Sequence, residues 1–383
     1  MIKIFEPFLG EEEKKELSRC IDANWITGGP KVKEFEDEIA LLTGADYAVS
    51  CMNGTIALYM SLVAMELDKS EYFEVIVPDF TFIASANAVV LAGGRPVFCD
   101  VKRETGNIDL ESAKKCLTVW TKAIMPVHIY GQSANMDQVL AFAETHHIKV
   151  IEDAAQGVGV YWKGKAVGTF GEVGIHSYYA DKTISTGEGG MVLTNNKEIA
   201  NRCIRLKHQG RAGRGWYIHE EIGYNFRMTD LQGAVGLAQL RKLDNIIQIK
   251  KDHEEIYREK LKIDQVKFLE NNKFSSTVPF RHNILVKNPT KLSKYLKENG
   301  IETKPFFSPL HLQPCYNDNH IGNGGTYKRD PNNFPNSVWL NMHGLSLPSS
   351  VSLTLNEIHY VCKTIVNYFK ENSDENISDN PNT

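Results

Sequence analysis

Residues 151–192, IEDAAQGVGVYWKGKAVGTFGEVGIHSYYADKTISTGEGGMV, decide how the rest of the chain is read. The acidic pair Glu152-Asp153 ends an apolar run, and Gln156 follows three residues after Asp153. Lys182 stands just before the Gly-rich turn Thr186-Gly187-Glu188-Gly189-Gly190. Amine chemistry on a carbonyl cofactor requires such a set: a lysine for a Schiff base, a carboxylate for a ring nitrogen, and glycines that admit close backbone approach. A lysine held near a cationic ring or an apolar wall sheds its proton more easily and becomes a nucleophile. Asp153 beside a pyridine nitrogen would keep it protonated and make the ring an electron sink. Taken alone, Asp153 reads equally as a strand-end carboxylate capping a following helix. With Gln156 one helical turn on, both side chains would face one ligand. Glu152 points the opposite way and reads as structural.

On either side, short β-rich runs alternate with helical patterns. Strands are expected at 47–50, 75–77, 96–98, 123–127, 149–151, 174–177 and 191–193, and helices at 11–23, 32–43, 55–66, 84–91, 109–117 and 136–146. This alternation predicts an α/β fold, a largely parallel sheet with helices on both faces. Such sheets bind ligands beyond the carboxyl ends of their strands, where Asp153 and Ser177 fall. Residues 231–260 read as one long helix with an apolar stripe and a basic face. The domain boundary is placed inside it, giving a large domain over 1–245 and a smaller α+β domain over 246–370. Strands at 278–286 and 301–305 and a closing helix at 355–369 belong to the latter. Residues 371–383 are polar and without periodicity, and read as a disordered tail.

Bulk properties exclude several classes. At 383 residues the chain exceeds what one hydrophobic core usually supports. With 42% hydrophobic and 23% charged residues it reads as globular, and a formal charge of −4 offers no basic surface for nucleic acid or an anionic membrane. Seven scattered cysteines without a C-x-x-C fit reduced thiols. The opening MIKIFEPFLGEEEKKEL lacks the build of a signal peptide, and no apolar run approaches the ~20 residues of a membrane helix. A cytoplasmic protein is expected.

Asn53-Gly54-Thr55 precedes an apolar helix, where free N–H groups and a hydroxyl would bind phosphate, though the same residues suit a plain N-cap. Phe82, in Pro78-Asp79-Phe80-Thr81-Phe82, would stack on an aromatic cofactor, a role that competes with ordinary core packing. The near P-loop Gly159-x-x-x-x-Gly164-Lys165-Ala166 is rejected, because Ala166 stands where a hydroxyl must reach Mg²⁺. His146-His147 lacks partners for a metal and reads as a helix end, so no metal is expected.

Several motifs in order carry a resemblance: Trp25-Ile26-Thr27-Gly28-Gly29, Asn53-Gly54-Thr55-Ile56-Ala57-Leu58, Pro126-Val127-His128-Ile129-Tyr130-Gly131, Glu152-Asp153-Ala154-Ala155-Gln156, the Lys182 segment, and Gly223-Tyr224-Asn225-Phe226-Arg227-Met228-Thr229-Asp230. From residue 25 to about 370 the chain resembles the DegT/DnrJ/EryC1/StrS family of sugar aminotransferases, which use pyridoxal 5'-phosphate and have the fold-type-I, aspartate aminotransferase-like architecture. The resemblance implies that Lys182 carries the cofactor and shuttles a proton, with pyridoxamine phosphate as the intermediate form. It also implies that Asp153 pairs with the pyridine nitrogen and Gln156 lies against the ring. Ser177, Gly54 and Thr55 would hold the phosphate, and Phe82 would stack on the ring. Asn225 would reach the phosphate of a neighbouring subunit, which makes a homodimer the minimal unit.

Trp25-Ile26-Thr27, Tyr217, His219 and the run 304–311 are similar to the branch that aminates C4 of a nucleotide-linked 4-keto-6-deoxy sugar, with L-glutamate as donor. His219 and His311 are then candidates for the sugar-nucleotide site. The resemblance puts GDP-4-keto-6-deoxy-mannose first as the sugar, with UDP- and dTDP-linked 4-keto-6-deoxy sugars as alternatives. The family resemblance also admits a dehydratase of the same fold, in which His replaces the lysine, and a non-catalytic regulator. The Lys182, Asp153 and Gln156 set argues against both.

Overall fold

The computed structural model describes residues 1–69, 72–211, 217–316, 331–372 and 377. In chain order its first nine strands are β1 (Tyr47–Cys51), β2 (Glu74–Pro78), β3 (Arg95–Cys99), β4 (Thr121–Ile124), β5 (Lys149–Asp153), β6 (Tyr161–Trp162), β7 (Lys165–Ala166), β8 (Val173–Ser177) and β9 (Gly190–Thr194). Seven of them make one sheet in the order β1-β9-β8-β5-β4-β2-β3. From β3 to β8 neighbours are parallel, and β9 is antiparallel to both β8 and β1. β1 therefore points the same way as β8, and the carboxyl ends of six strands share one edge. β2, β8 and β9 are buried at every position, as strands covered on both faces are.

Helices α1 (Glu11–Asp22), α2 (Pro30–Thr43), α3 (Gly54–Ala64), α4 (Ala84–Leu91), α5 (Leu110–Lys115), α6 (Met136–His146) and α7 (Lys197–Lys207) accompany this sheet. α2 to α7 pack on its strands, while α1 packs on the later helix Asp230–Arg241. α3 is apolar nearly all round because it lies against β8 and β9 and is covered by α4 and α7. The rejected P-loop stretch forms the β6–β7 hairpin, turned at Lys163 and Gly164 with φ of 48° and 82°. His147, in left-handed conformation, caps α6.

The expected single helix over 231–260 is two: α8 (Asp230–Arg241) and α9 (Leu243–Lys260). A reciprocal cap between Thr229 and Gln232 starts α8, and Lys242, at φ −99° and ψ −2°, ends it. The break lets α8 pack on α1 and α2 while α9 turns to the helix Leu355–Glu371. Beyond them come β10 (Ser275–Ser276), which extends the β6–β7 hairpin, and a second sheet, β11-β13-β12, of β11 (His282–Leu285), β12 (Lys304–Pro305) and β13 (Gly344–Leu347). With α9, helices α10 (Pro289–Glu298) and α12 (Leu355–Glu371) close a separate apolar cluster around Tyr257, Ile284, Leu292, Leu345 and Ile365, while α11 (Pro335–His343) precedes β13.

The expected strand over 278–286 shrinks to β11. Its first residues instead lie along the Tyr130-Gly131 loop, with Val278 N donating to Gly131 O and Phe280 N to Tyr130 O. The strand expected at 301–305 shrinks to β12. Of the expected disordered tail, Glu371 ends α12, Asn372 Nδ2 donates to Tyr368 O, and Ile377 is buried in a cluster with Phe280 and Trp339. The rest of it, 373–376 and 378–383, lies outside the described residues, as do residues 317–330.

Candidate active site

The site assembles at the carboxyl edge of the large sheet. Asp153 ends β5 and is buried. Its Oδ2 accepts from Ser85 Oγ at 2.6 Å and its Oδ1 from Ala155 N at 3.1 Å. No helix follows; residues 154–159 turn, so the capping role for Asp153 is excluded and Gln156 is placed by the turn rather than by helical spacing. Gln156 Oε1 accepts from Tyr130 N at 2.6 Å, leaving its amide N–H groups for another partner. Tyr130 and Gly131 both have positive φ, 53° and 81°. A Cβ on Gly131 would lie 1.8 Å from Val278 O, so only glycine lets this loop meet the 278–280 run.

Glu152 points into the protein and spends both oxygens there. Oε1 accepts from Phe170 N and Gly171 N at 2.6 and 2.8 Å, and Oε2 from Gly168 N at 2.8 Å and lies 3.0 Å from His128 Nε2. It is structural. The alternation of a strand sends Asp153 one way and Glu152 the other.

Ser177 ends β8 and meets the start of α3. Asn53 Oδ1 caps α3 by accepting from Ile56 N at 3.0 Å, so the plain cap is real. The N–H groups of Gly54 and Thr55 are left without intrahelical acceptors. A Cβ on Gly54 would sit 2.9 Å from Ser177 Cβ and 3.2 Å from its Oγ. Gly190 faces both Cys51 and Ser177 across the sheet, and a Cβ there would fall 2.3 Å from Asn53 O. Two glycines thus keep open a cradle of N–H groups and hydroxyls, the donor set for an anion.

Lys182 rides a loop folded back on itself. Tyr178 N donates to Gly189 O and Lys182 N to Tyr179 O, both at 2.9 Å. The Lys182 amine lies 4.5 Å from the centroid of the Phe280 ring and has no hydrogen-bond or ion-pair partner among the described residues. Burial pushes its pKa below the usual lysine range. Asp181 and Asp153 oppose that shift, while Arg281 and Lys304 add to it. An amine so placed is biased toward its neutral, nucleophilic form.

Phe82 is exposed beside this edge, its ring 6.1 Å from that of Phe307. The two histidine candidates are not brought together. His311 is buried; its Nδ1 lies 2.7 Å from Asp79 Oδ2 and its ring stacks on Phe334 at 4.4 Å. Burial pushes the Asp79 carboxyl up, and His311 opposes that shift. His219 is exposed, its Nδ1 2.6 Å from Gln209 O. Asn225 is exposed between Tyr224 and Phe226, whose rings stack at 4.6 Å. No hydrogen bond, ion pair or ring contact joins His219 or Asn225 to Lys182 among the described residues. A cleft of about 950 Å³ is lined by Trp25, Gly28, Ser50, Lys207, His208 and Arg227. Exposed Ile204 also lines it, as does Arg211, whose guanidinium lies 4.9 Å from the exposed Tyr217 ring; Ile218 and Ile222 are exposed as well.

Sequence reading missed three contributors: Ser85, which holds Asp153; Phe280, beneath the amine; and Arg281, whose Nη2 donates to Asp181 Oδ2 at 2.5 Å. The available signals were a small hydroxyl in the first turn after Phe82 and one cation inside the apolar run 278–286. No group of three or more potential metal ligands occurs among the described residues, and no described helix is long and apolar enough to cross a membrane.

The sequence profile of the DegT/DnrJ/EryC1/StrS aminotransferase family matches residues 7–366. The chain is 37% identical over 375 residues to a GDP-perosamine synthase of Vibrio cholerae, covering 96% of this chain and 99% of that one. It is 35% identical to a GDP-perosamine synthase of Escherichia coli O157:H7, covering 97% and 99%. In structure it superposes with TM-score 0.84 on a DegT/DnrJ/EryC1/StrS aminotransferase from Brucella abortus, 30% identical, covering 93% of this chain and 95% of that one.

Proposed function

The chain belongs to the DegT/DnrJ/EryC1/StrS aminotransferase family, and we propose that it moves an amino group from L-glutamate to C4 of GDP-4-keto-6-deoxy-mannose, giving GDP-perosamine. It is a pyridoxal-phosphate-dependent sugar aminotransferase. The choice of nucleotide and sugar is supported by the two perosamine synthases it resembles over nearly their whole length. The observation that carries the site is the Lys182 amine, over the Phe280 ring and without a hydrogen-bond or ion-pair partner among the described residues, on the sheet edge that also bears Asp153 and the Gly54–Ser177 cradle.

These residues fit pyridoxal phosphate. When bound, the cofactor supplies the carbonyl that takes up the amino group and the ring that accommodates electrons. The cradle of Gly54, Thr55 and Ser177 would hold its phosphate. Asp153, oriented by Ser85, would keep the ring nitrogen protonated. Gln156, tied to Tyr130 N through its oxygen, would present its N–H groups to the ring substituents, and Phe82 would stack on the face open to solvent. Lys182 would hold the cofactor and then move protons, from the α carbon of the donor to the cofactor in the first half of the reaction and from the cofactor to C4 of the sugar in the second. Its lowered pKa suits both tasks.

Asn225 and His219 are assigned to the site of a second copy, in a homodimer. Support comes from the exposed apolar residues around the 950 Å³ cleft. His311, held by Asp79, is assigned to the sugar-nucleotide side. The division into a cofactor-binding part, 1–245, and a smaller part, 246–370, goes with this reading and is supported by the separate apolar cluster of the second sheet.

The test offers GDP-, UDP- and dTDP-linked 4-keto-6-deoxy sugars in parallel, with pyridoxal phosphate and L-glutamate, and reads products by mass spectrometry. An amino sugar from the GDP substrate alone is expected. An amino sugar from another nucleotide alone would move the substrate, and ammonia with a deoxygenated sugar would overturn the reaction class.

A further inference from the structure

Residues 278–281 cross from the second half of the chain into the site and are fixed there from three sides. Val278 N and Phe280 N donate to Gly131 O and Tyr130 O. Lys250 of α9, itself buried, donates from Nζ to Pro279 O at 3.1 Å and to Ser349 O at 3.5 Å. His282 N donates to Ser349 Oγ at 3.0 Å. The segment thus delivers Phe280 and Arg281 with little freedom. The Phe280 ring has the Lys182 amine 4.5 Å away and the Arg281 guanidinium 5.0 Å away.

Arg281 is 7% exposed, and its one carboxylate partner among the described residues is Asp181, the residue before Lys182. Its Nη1 is buried with no hydrogen-bond partner among them. An arginine buried with a single carboxylate is expensive unless that pair is kept. The pair is also an ionic link between the loop bearing Lys182 and the 278–281 run.

We propose that Arg281 is a positioning residue for Lys182: it clamps Asp181 across the two halves of the chain, fixes the loop on which the amine stands, and cancels the field of that carboxylate at the amine. This rests on the reading of Lys182 as the reactive amine. The charged groups acting on Lys182 are Asp181 and Asp153, which favour its ammonium form, and Arg281 and Lys304, which oppose it. Removing Arg281 both deletes an opposing charge and unmasks Asp181, so Lys182 becomes a stronger base. Removing the Asp181 charge works the other way.

The experiment labels the full-length chain, freed of pyridoxal phosphate, with acetic anhydride across a pH series. Acetylation of Lys182 is followed by peptide mass spectrometry against surface lysines of the same digest. Arg281→Met is expected to raise the labelling midpoint of Lys182 by about one unit and Asp181→Asn to lower it. The double variant is expected to return toward the wild-type midpoint, because the two residues act as a pair. Arg281→Lys, which keeps the charge, is expected to stay within about half a unit of wild type. An unchanged midpoint in Arg281→Met, or a shift of the same sign in both single variants, overturns the proposal. Should Arg281→Met fail to fold, an unchanged midpoint in Asp181→Asn does so. The readout needs no turnover, so failure of the site reading itself is seen separately, as turnover surviving Lys182→Ala.

Discussion

Ser85 Oγ donates to Asp153 Oδ2 at 2.6 Å, and Ser85 is wholly buried at the start of α4. A carboxylate so held cannot swing away from the position where a ring nitrogen would meet it. A hydrogen bond to a charged group contributes about 1.5–3 kcal/mol. Ser85→Ala is therefore expected to weaken pyridoxal phosphate binding by about tenfold or more, measured by titrating the apo chain and following cofactor absorbance. Unchanged affinity would show that Asp153 needs no such support.

Gly131 carries a second prediction. Its φ is 81°, and a Cβ would lie 1.8 Å from Val278 O. Gly131→Ala must shift the 278–280 run, and with it Phe280, or move Tyr130 off Gln156. A stability loss of at least about 2 kcal/mol is expected in urea unfolding, together with weakened cofactor binding. A variant of wild-type stability would mean the loop relaxes at little cost.

The parallel sheet and the edge residues Asp153 and Ser177 were legible in sequence because strands buried on both faces announce themselves as short apolar runs. Gln156 was placed beside Asp153 for the wrong geometric reason, since a turn rather than a helix brings it there. The break at Lys242 was invisible because lysine is a good helix former and the apolar stripe continues across it. What separates α8 from α9 is that they pack on different partners. Ser85, Phe280 and Arg281 reach the site through contacts 68 to 100 residues apart in the chain, which no local pattern encodes.

Acid stability follows from His176, buried in β8. Burial, and next the neighbouring His128, pushes its pKa down to about 4 from 6.5. Between those values the unfolded chain binds a proton that the folded chain refuses, so stability is full above pH 6.5 and falls as pH drops toward 4. The shift corresponds to about 3 kcal/mol. His176→Phe is expected to flatten this part of the stability–pH curve, measured by urea unfolding from pH 4 to 7. A wild-type slope in the variant would place the acid sensitivity elsewhere.

Lys250 acts at the other end of the scale. Burial, then Arg281, pushes its pKa down to about 8 from 10.5. In that window the unfolded chain again binds the extra proton, so this group makes stability rise with pH, by about 3 kcal/mol in all. Lys250→Met is expected to remove that rise relative to wild type when unfolding is followed from pH 7.5 to 10. Parallel curves for the two proteins would contradict it.

The most direct measurement follows nitrogen itself. The enzyme, loaded with pyridoxal phosphate, is given ¹⁵N-labelled L-glutamate and GDP-4-keto-6-deoxy-mannose, and the sugar product is weighed by mass spectrometry. A sugar carrying one ¹⁵N, with none formed by Lys182→Ala, is the expected result. An unlabelled sugar, or a labelled one formed at near-wild-type rate by Lys182→Ala, would contradict the assignment of Lys182 as the amine through which this chain transfers nitrogen.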